Sequence, residues 1–386
     1  MVTDFQTTKV YFSSWLPKSC PKLWEAIHSV FLKRNVKYAF LSDTEDIWCR
    51  DYMPIQITTD KMVSYKYWPD YLVNRHKQKY ITDSYLMAQN LEKEYPGIEF
   101  KHLGLILDGG NVVKCGDTIV MTEKVFEENP NRPKYYVRKT LEDAFGCNIL
   151  FLPWDRKEIY GHSDGIIHYL GENKILLTNY DDYSFAEYKS FKARLESKFE
   201  VITLKYPVER KNMNNWAYIN YLQVGGLILV PQLGIEEDEM ALEQIQKAIP
   251  DTYSVIGVPA IEAVKMGGAL NCISWNIDDN ISAQKVVKII SPLQNDAFSE
   301  KVIYEVLQQR LDFILPKETW YDINKAFENY WDEEAGIGNF VDCDSMYWSI
   351  KRQLSAEHIL FPDDKLYRIV NVIWDFIDTI PGVIIH

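Results

Sequence analysis

This sequence predicts an α/β fold built from repeated strand–helix–strand units, and two observations predict it. Three segments share one layout, a short apolar run, an amphipathic helical stretch and a second apolar run, at a period of about fifty residues. In addition, polar stretches that do not suit a core fall once per repeat, beside a strand. Weak self-similarity of this kind marks an architecture in which each unit covers its neighbour.

The first unit opens on residues 117–122 (DTIVMT), passes through a charged, helix-like stretch to 141–146 (LEDAFG), and closes on 148–153 (NILFLP). The second runs from 174–178 (KILLT) through an amphipathic stretch over 185–199 to 201–204 (VITL). The third has 226–231 (GLILVP), a helix over 236–248, and 254–259 (SVIGVP). Two of the three end on a proline, Pro153 or Pro259, which has no N–H to continue a ladder. From about residue 281 onward the spacing becomes helical, over 286–290, 298–314, 320–331 and 366–380, while 341–348 (VDCDSMYW) fits neither period. We therefore expect a repeat domain over residues 1–280 and a helical C-terminal appendage over 281–386. No Gly/Ser-rich linker separates them, so the appendage is expected to pack on the repeats.

The 386 residues are 47% hydrophobic and 25% charged, ordinary values for a soluble globular chain with room for a large core. A formal net charge of -13 without a Lys/Arg cluster argues against nucleic acid as a partner. The same acidic field would steer a cationic small molecule inward. No apolar run approaches the length of a bilayer span, so no membrane partner is expected. The first ten residues (MVTDFQTTKV) show neither a basic n-region nor an apolar h-region. Cys20, Cys49, Cys115, Cys147, Cys272 and Cys343 are scattered without a CxxC pair, against a disulfide framework or a zinc site. A reducing cytoplasm fits best.

Residues 266–275 (MGGALNCISW) place one thiol directly behind a glycine pair, between apolar residues that read as a short buried strand. The glycines allow a sharp turn or the close approach of a ligand. A lone cysteine in such a run is more often a packed core thiol, so its meaning depends on its company. In a closed ring of repeats, equivalent loop ends converge near the axis. That would gather Asp51, Asp108, His162, Asp164, Asn220 and Cys272 around one pocket. A thiol, an imidazole and two or more carboxylates make a nucleophile, a proton shuttle and a cation-binding pair. Each also has a plainer reading. Arg50 and Asp51 suit a surface ion pair before Pro54, residues 108–111 (DGGN) a hairpin turn, and Asn220 a bond to neighbouring backbone. His162 and Asp164 alternate along an extended segment and can share a cleft, with no third metal ligand at suitable spacing.

With DIWCRDYMP at 46–54, DGGN at 108–111, GHSDG at 161–165, YINYL at 218–222 and GGALNC at 267–272, a resemblance emerges. The chain resembles the guanidino-group-modifying enzymes, and within them the agmatine deiminase and bacterial-type peptidylarginine deiminase group. The motifs keep that group's order from about Val10 to Ile277. The resemblance implies a five-bladed α/β propeller (pentein) of pseudo-fivefold symmetry, with the appendage outside it. It implies Cys272 as nucleophile, His162 as general acid/base, and Asp51 and Asp164 as the carboxylates that hold the guanidinium. Asn220, Asp108 and Trp48 would line the substrate pocket.

The implied activity is a deiminase, a hydrolase that turns a guanidino group into a ureido group and releases ammonia, with no metal or organic cofactor. Agmatine or a similar small cationic guanidine would be the substrate, with peptidyl or free arginine next. Asn271 stands where agmatine deiminases typically carry a histidine, and residues 13–17 (SSWLP) keep only part of their N-terminal tryptophan pattern. Both departures bear on which guanidine is bound rather than on the core chemistry. Rival readings are an amidinotransferase using the same covalent intermediate and a guanidine-binding protein without turnover. A cysteine peptidase would need an oxyanion donor, where carboxylates suited to a cation stand instead. The appendage would serve as a lid, as the surface of a homodimer, or as padding, and intramolecular packing is the favoured role.

Overall fold

The structure, a computed structural model, describes residues 1–280, 300–330 and 343–377. They belong to two compact units, one of residues 1–94 and 100–282, the other of residues 95–99 and 283–386.

Among the described residues the repeat recurs in five three-stranded sheets, the number the resemblance implies, although periodicity alone marked three units. In the first sheet β1 (Lys9–Ser13) pairs in parallel with β2 (Lys37–Leu41), joined by the helix Pro21–Arg34. In the second, β3 (Ile55–Thr58) runs antiparallel to β4 (Lys61–Lys66), and β5 (Glu99–Ile106) flanks β4 after the helix Ser84–Glu94. The third holds β6 (Val113–Cys115) antiparallel to β7 (Thr118–Thr122), then the helix Lys134–Phe145, then β8 (Asn148–Leu152) parallel to β7. The fourth repeats this with β9 (Ile167–Gly171), β10 (Lys174–Leu177), the helix Phe185–Glu196 and β11 (Glu200–Thr203). The fifth has β12 (Leu222–Val224), β13 (Leu227–Gln232), the helix Glu237–Ala248 and β14 (Ser254–Pro259). Finally β15 (Ser274–Ile277) returns to the first sheet and pairs antiparallel with β1, Lys9 opposite Ile277 and Phe12 opposite Ser274. The chain thus closes on its own beginning.

The central strands begin at Lys9, Lys61, Thr118, Lys174 and Leu227, which is the period of about fifty residues seen in the sequence. Parallel neighbours need a long crossover, and each helix supplies one. Every residue of β7 is buried, as are the first five of β13, hence their unbroken apolar runs. The helix Lys134–Phe145 buries Val137, Leu141 and Phe145 at a spacing of four, and Gly146 ends it at a left-handed φ of 62°.

Four helices are described in the second unit: Glu300–Arg310, Lys317–Asn329, Cys343–Ala356 and Asp363–Ile377. Leu307, Trp320, Phe327, Ile350, Ile369 and Ile373 are fully buried in their common core. The ambiguous stretch at 341–348 is helical from Cys343. The helix expected at 286–290 lies outside the described residues, as do the parts of the other expected helices at 298–299, 331 and 378–380. No helix among the described residues is long and apolar enough to cross a membrane.

Candidate functional site

Five polar segments occupy one equivalent place, immediately before the strand that pairs antiparallel with each central strand. They are the short helix Cys49–Tyr52 before β3, the 3-10 turns Gly109–Asn111, Ser163–Gly165 and Asn215–Ile219 before β6, β9 and β12, and the turns leading from 265 into β15. Their polar side chains meet.

The first cluster centres on His162. Its Nε2 lies 2.9 Å from Asp108 Oδ2, and its Nδ1 lies 3.5 Å from Asp51 Oδ1. Asp51 Oδ1 also accepts the Gly110 N–H at 3.1 Å, and Tyr71 donates its hydroxyl to Oδ2 at 3.4 Å. Tyr65, from β4, donates its hydroxyl to the Asp51 and Met53 carbonyls and so fixes the short helix. This crowding explains the paired glycines of DGGN. A Cβ on Gly110 would lie 2.6 Å from Asp51 Oδ1 and 2.7 Å from His162 Nδ1. Asn111 then ties the loop to β7 by accepting the Thr122 N–H at 2.8 Å.

The second cluster centres on Cys272. Its Sγ lies 3.8 Å from Asp164 Oδ2, the oxygen that also accepts from Asn271 Nδ2 at 2.7 Å. Asn220 bridges the same two segments: Nδ2 donates to the Asp164 carbonyl at 3.3 Å, and Oδ1 accepts the Cys272 N–H at 3.2 Å. The Arg50 N–H donates to the Cys272 carbonyl at 3.1 Å, which sets the two clusters side by side. Gly267 has a φ of 104°, a left-handed conformation that favours glycine, and the Trp48 ring packs closely over Gly268.

Electrostatics give the site its character. Burial pushes the Cys272 thiol well above its ordinary range, and Asp164 and Asp51 push the same way. Burial also raises Asp51 to about 7, against the pull of His162. For Asp108 burial opposes ionisation, but Lys124 and His162 prevail and hold its carboxyl well below the usual range. Burial alone would depress His162, yet Asp51 and the bond to Asp108 raise it to about 10. Burial and the nearby acids thus favour the neutral form of the thiol, while Asp51 and Asp108 favour the charged form of the imidazole. An added cation beside Asp51 and Asp164 would offset the smaller, carboxylate part of this effect, while burial, the larger part, remains.

Several plainer expectations give way here. Arg50 and Asp51 are buried rather than a surface pair, and Arg50 Nη2 bonds Asn276 Oδ1 at 2.6 Å because the loop packs on β15. DGGN is a 3-10 turn, not a hairpin. His162 and Asp164 do not alternate along an extended segment. Residues 163–165 form a 3-10 turn that sends His162 to Asp51 and Asp108, and Asp164 to Asn271 and Cys272. Cys272 lies in a turn, and the strand begins only at Ser274. Asn220 does bond backbone, but that of Asp164 and Cys272. Trp48 stands against Gly268 beside the thiol's loop.

Sequence reasoning passed over Lys124, Glu128, Tyr71 and Tyr160. Lys124 is fully buried, with Nζ 2.8 Å from Asp108 Oδ2, 3.2 Å from Asp70 Oδ1 and in contact with Glu128. An i,i+4 Lys–Glu pair just behind the apolar run 119–121 was the available signal. Tyr71 and Tyr160 meet edge to face at 5.0 Å and both stand near the His162 ring. Nothing in their local sequence marks them. Among the described residues no three His, Cys, Asp or Glu side chains are arranged to hold a metal ion.

Comparison with known proteins gives the family and the fold of the chain. Residues 19–277 match the model of the family described as Porphyromonas-type peptidyl-arginine deiminase. A Marinomonas sp. (strain MWYL1) protein named "Putative agmatine deiminase" is 27% identical over 222 residues, 48% of this chain and 60% of that protein. A Streptococcus mutans protein of the same name is 25% identical over 274 residues, 60% of this chain and 73% of its own length. The chain thus spans less than two thirds of the Marinomonas relative. Among solved structures, the C. jejuni agmatine deiminase superposes with a TM-score of 0.58 at 19% identity, covering 71% of this chain and 94% of that one. That likeness is one of fold.

Proposed function

The chain belongs to the Porphyromonas-type peptidyl-arginine deiminase family, and from that premise we propose that it hydrolyses a guanidino group to a ureido group with release of ammonia. The observation that carries this reading is Cys272 Sγ at 3.8 Å from Asp164 Oδ2, beside Asp51 and His162. A guanidinium is planar and its charge is delocalised, so its carbon resists attack unless it is held and aimed. Asp51 and Asp164 would grip it by charge-assisted hydrogen bonds and turn the carbon toward the thiol. The bound cation lowers the cost of ionising Cys272, so the substrate helps generate its own nucleophile.

As the cation binds, Cys272 loses its proton to bulk water, and attack by the thiolate on the guanidinium carbon forms a C–S bond and a neutral tetrahedral adduct. A C–N bond then breaks, His162 gives its proton to the departing nitrogen, and an S-alkylthiouronium remains on Cys272. Water adds to that carbon as His162 takes a proton. The C–S bond breaks, the thiolate returns, and the ureido product leaves. Asp108 orients the imidazole, and Asn220 ties the thiol's loop to the loop of Asp164. The substrate class is a small cationic guanidine, agmatine first and peptidyl or free arginine next, in keeping with the named relatives and the acidic chain.

The test is ammonia release from agmatine, arginine, blocked arginine peptides and methylated arginines, with intact-protein mass spectrometry. Wild type is expected to release ammonia without any added amine and to carry a transient adduct that Cys272→Ser lacks. No ammonia and no adduct from any guanidine would end the deiminase reading, while turnover only with an added amine would make the protein an amidinotransferase.

A further inference from the structure

Asp108 bonds both of its cationic neighbours through one oxygen. Oδ2 accepts from Lys124 Nζ at 2.8 Å and from His162 Nε2 at 2.9 Å, while Oδ1 is buried without a hydrogen-bond partner in the protein. Lys124 is fixed as firmly as His162. Asp70 and Glu128 hold its ammonium, the Tyr71 ring lies 5.2 Å away, and its stem fills the space over Gly161. A Cβ on Gly161 would lie 2.8 Å from Lys124 Cδ, so the residue preceding His162 carries no side chain where the lysine passes.

We propose that Lys124 is a positioning residue for the deiminase reaction: by sharing Asp108 Oδ2 it lets Asp108 orient His162 without trapping its proton. The inference rests on the function proposed above and assigns Lys124 a part in it. A buried carboxylate bonded to an imidazolium alone would hold that proton tightly. The reaction needs the proton to leave and to return. On the Nδ1 side, the arriving guanidinium engages Asp51 and loosens its hold. The Asp108 side is sealed from substrate, so relief there has to be built into the protein. Lys124 supplies it by drawing on the same lone pairs and by placing a positive charge behind the carboxylate. The charged and titratable groups around the ring are Asp51 at Nδ1, Asp108 at Nε2, the Tyr71 and Tyr160 rings, and Lys124 with Glu128 behind Asp108. The electrostatics agree in sign, since Lys124 lowers the proton affinity of His162 while both carboxylates raise it.

The experiment compares wild type, Lys124→Met, Asp108→Asn and the double variant. It combines NMR titration of His162 in histidine-labelled protein, kcat and KM against pH, and mass spectrometry of Cys272. In Lys124→Met the His162 midpoint should rise by about one pH unit or more. At pH 7 kcat should fall about tenfold or more while KM changes little, and the thiouronium should accumulate because its hydrolysis needs His162 without its proton. With Asn at 108, Lys124→Met should add nothing further. Lys124→Met combined with Glu128→Gln removes both charges of the buried i,i+4 pair and keeps the comparison available if the single variant does not fold. A His162 midpoint that stays or falls, kcat and KM that change together without a pH shift, or an added loss in the Asp108→Asn background would each overturn the proposal. If wild type releases no ammonia from any guanidine, the deiminase reading fails, and the NMR arm still decides what Lys124 does to His162.

Discussion

Asp51 serves two partners at once. Its Oδ1 takes the Gly110 N–H and faces His162, and in the proposed reaction the same carboxylate would grip the substrate's guanidinium. Only the ionised form can do so, and burial has raised its proton affinity to about 7. The sign follows directly. A carboxylate with a raised pKa is protonated below that value, so the site loses its cation grip as pH falls through neutrality, not as it rises. Guanidinium affinity should therefore drop about tenfold per pH unit below 7 and level off above about 8. Titration calorimetry on Cys272→Ser, expected to bind without turning over, measures this directly. An affinity indifferent to pH between 5.5 and 8 would show that Asp51 is not the group that holds the cation. Asp51→Asn should bind weakly and lose the pH dependence altogether.

At the scale of elements, the loops before the antiparallel strands carry the proposed site residues, and their glycines hold them close. Gly110 admits Asp51 and His162 at distances that a methyl group would deny. Gly110→Ala should lower kcat about a hundredfold by displacing the ring, while the melting temperature falls only a few degrees, because the strands beyond the loop keep their pairing. Calorimetry beside a steady-state assay separates the two effects, and a matching collapse of the fold would mean that the loop is scaffold. The same elements show why some parts of this structure are readable from sequence and others are not. β7 and β13 are buried almost throughout and stand out as apolar runs, whereas β2 exposes Lys37 and Phe40 and β5 exposes Lys101 and Gly104. Two repeats were hidden for that reason. DGGN, GHSDG and GGALNC were legible because close approach demands glycine next to the polar groups. Lys124 and Tyr71 were not, because their meaning lies in Asp108 and Asp51, which are distant in sequence and reach them only through the fold.

For the repeat unit as a whole, the closing pair of strands has most at stake. Cys272 lies two residues before β15, and β15 is held by β1, at the other end of the repeats. Side chains from further segments fasten the same stretch: Cys49 Sγ reaches the Ile273 carbonyl at 3.0 Å, and the Trp275 indole donates to the Pro54 carbonyl at 2.7 Å. Asn276 Nδ2 donates to the Gln223 carbonyl at 2.8 Å and to Asp4 Oδ1 at 3.1 Å. The position of Cys272, the proposed nucleophile, thus depends on the pairing of the last strand with the first and not on its own loop alone. Val10 sits in the middle of β1, opposite Asn276 on one side and Tyr38 on the other. Val10→Pro removes a ladder donor from a central strand, at a cost of about 3 kcal/mol or more. We expect it to free the amides of 274–277 to hydrogen exchange and to abolish the Cys272 adduct. Peptides from 300–330 and 343–377, which have a core of their own, should keep their protection. If exchange at 274–277 stayed slow and the adduct still formed, closure through β1 would have no part in placing the thiol.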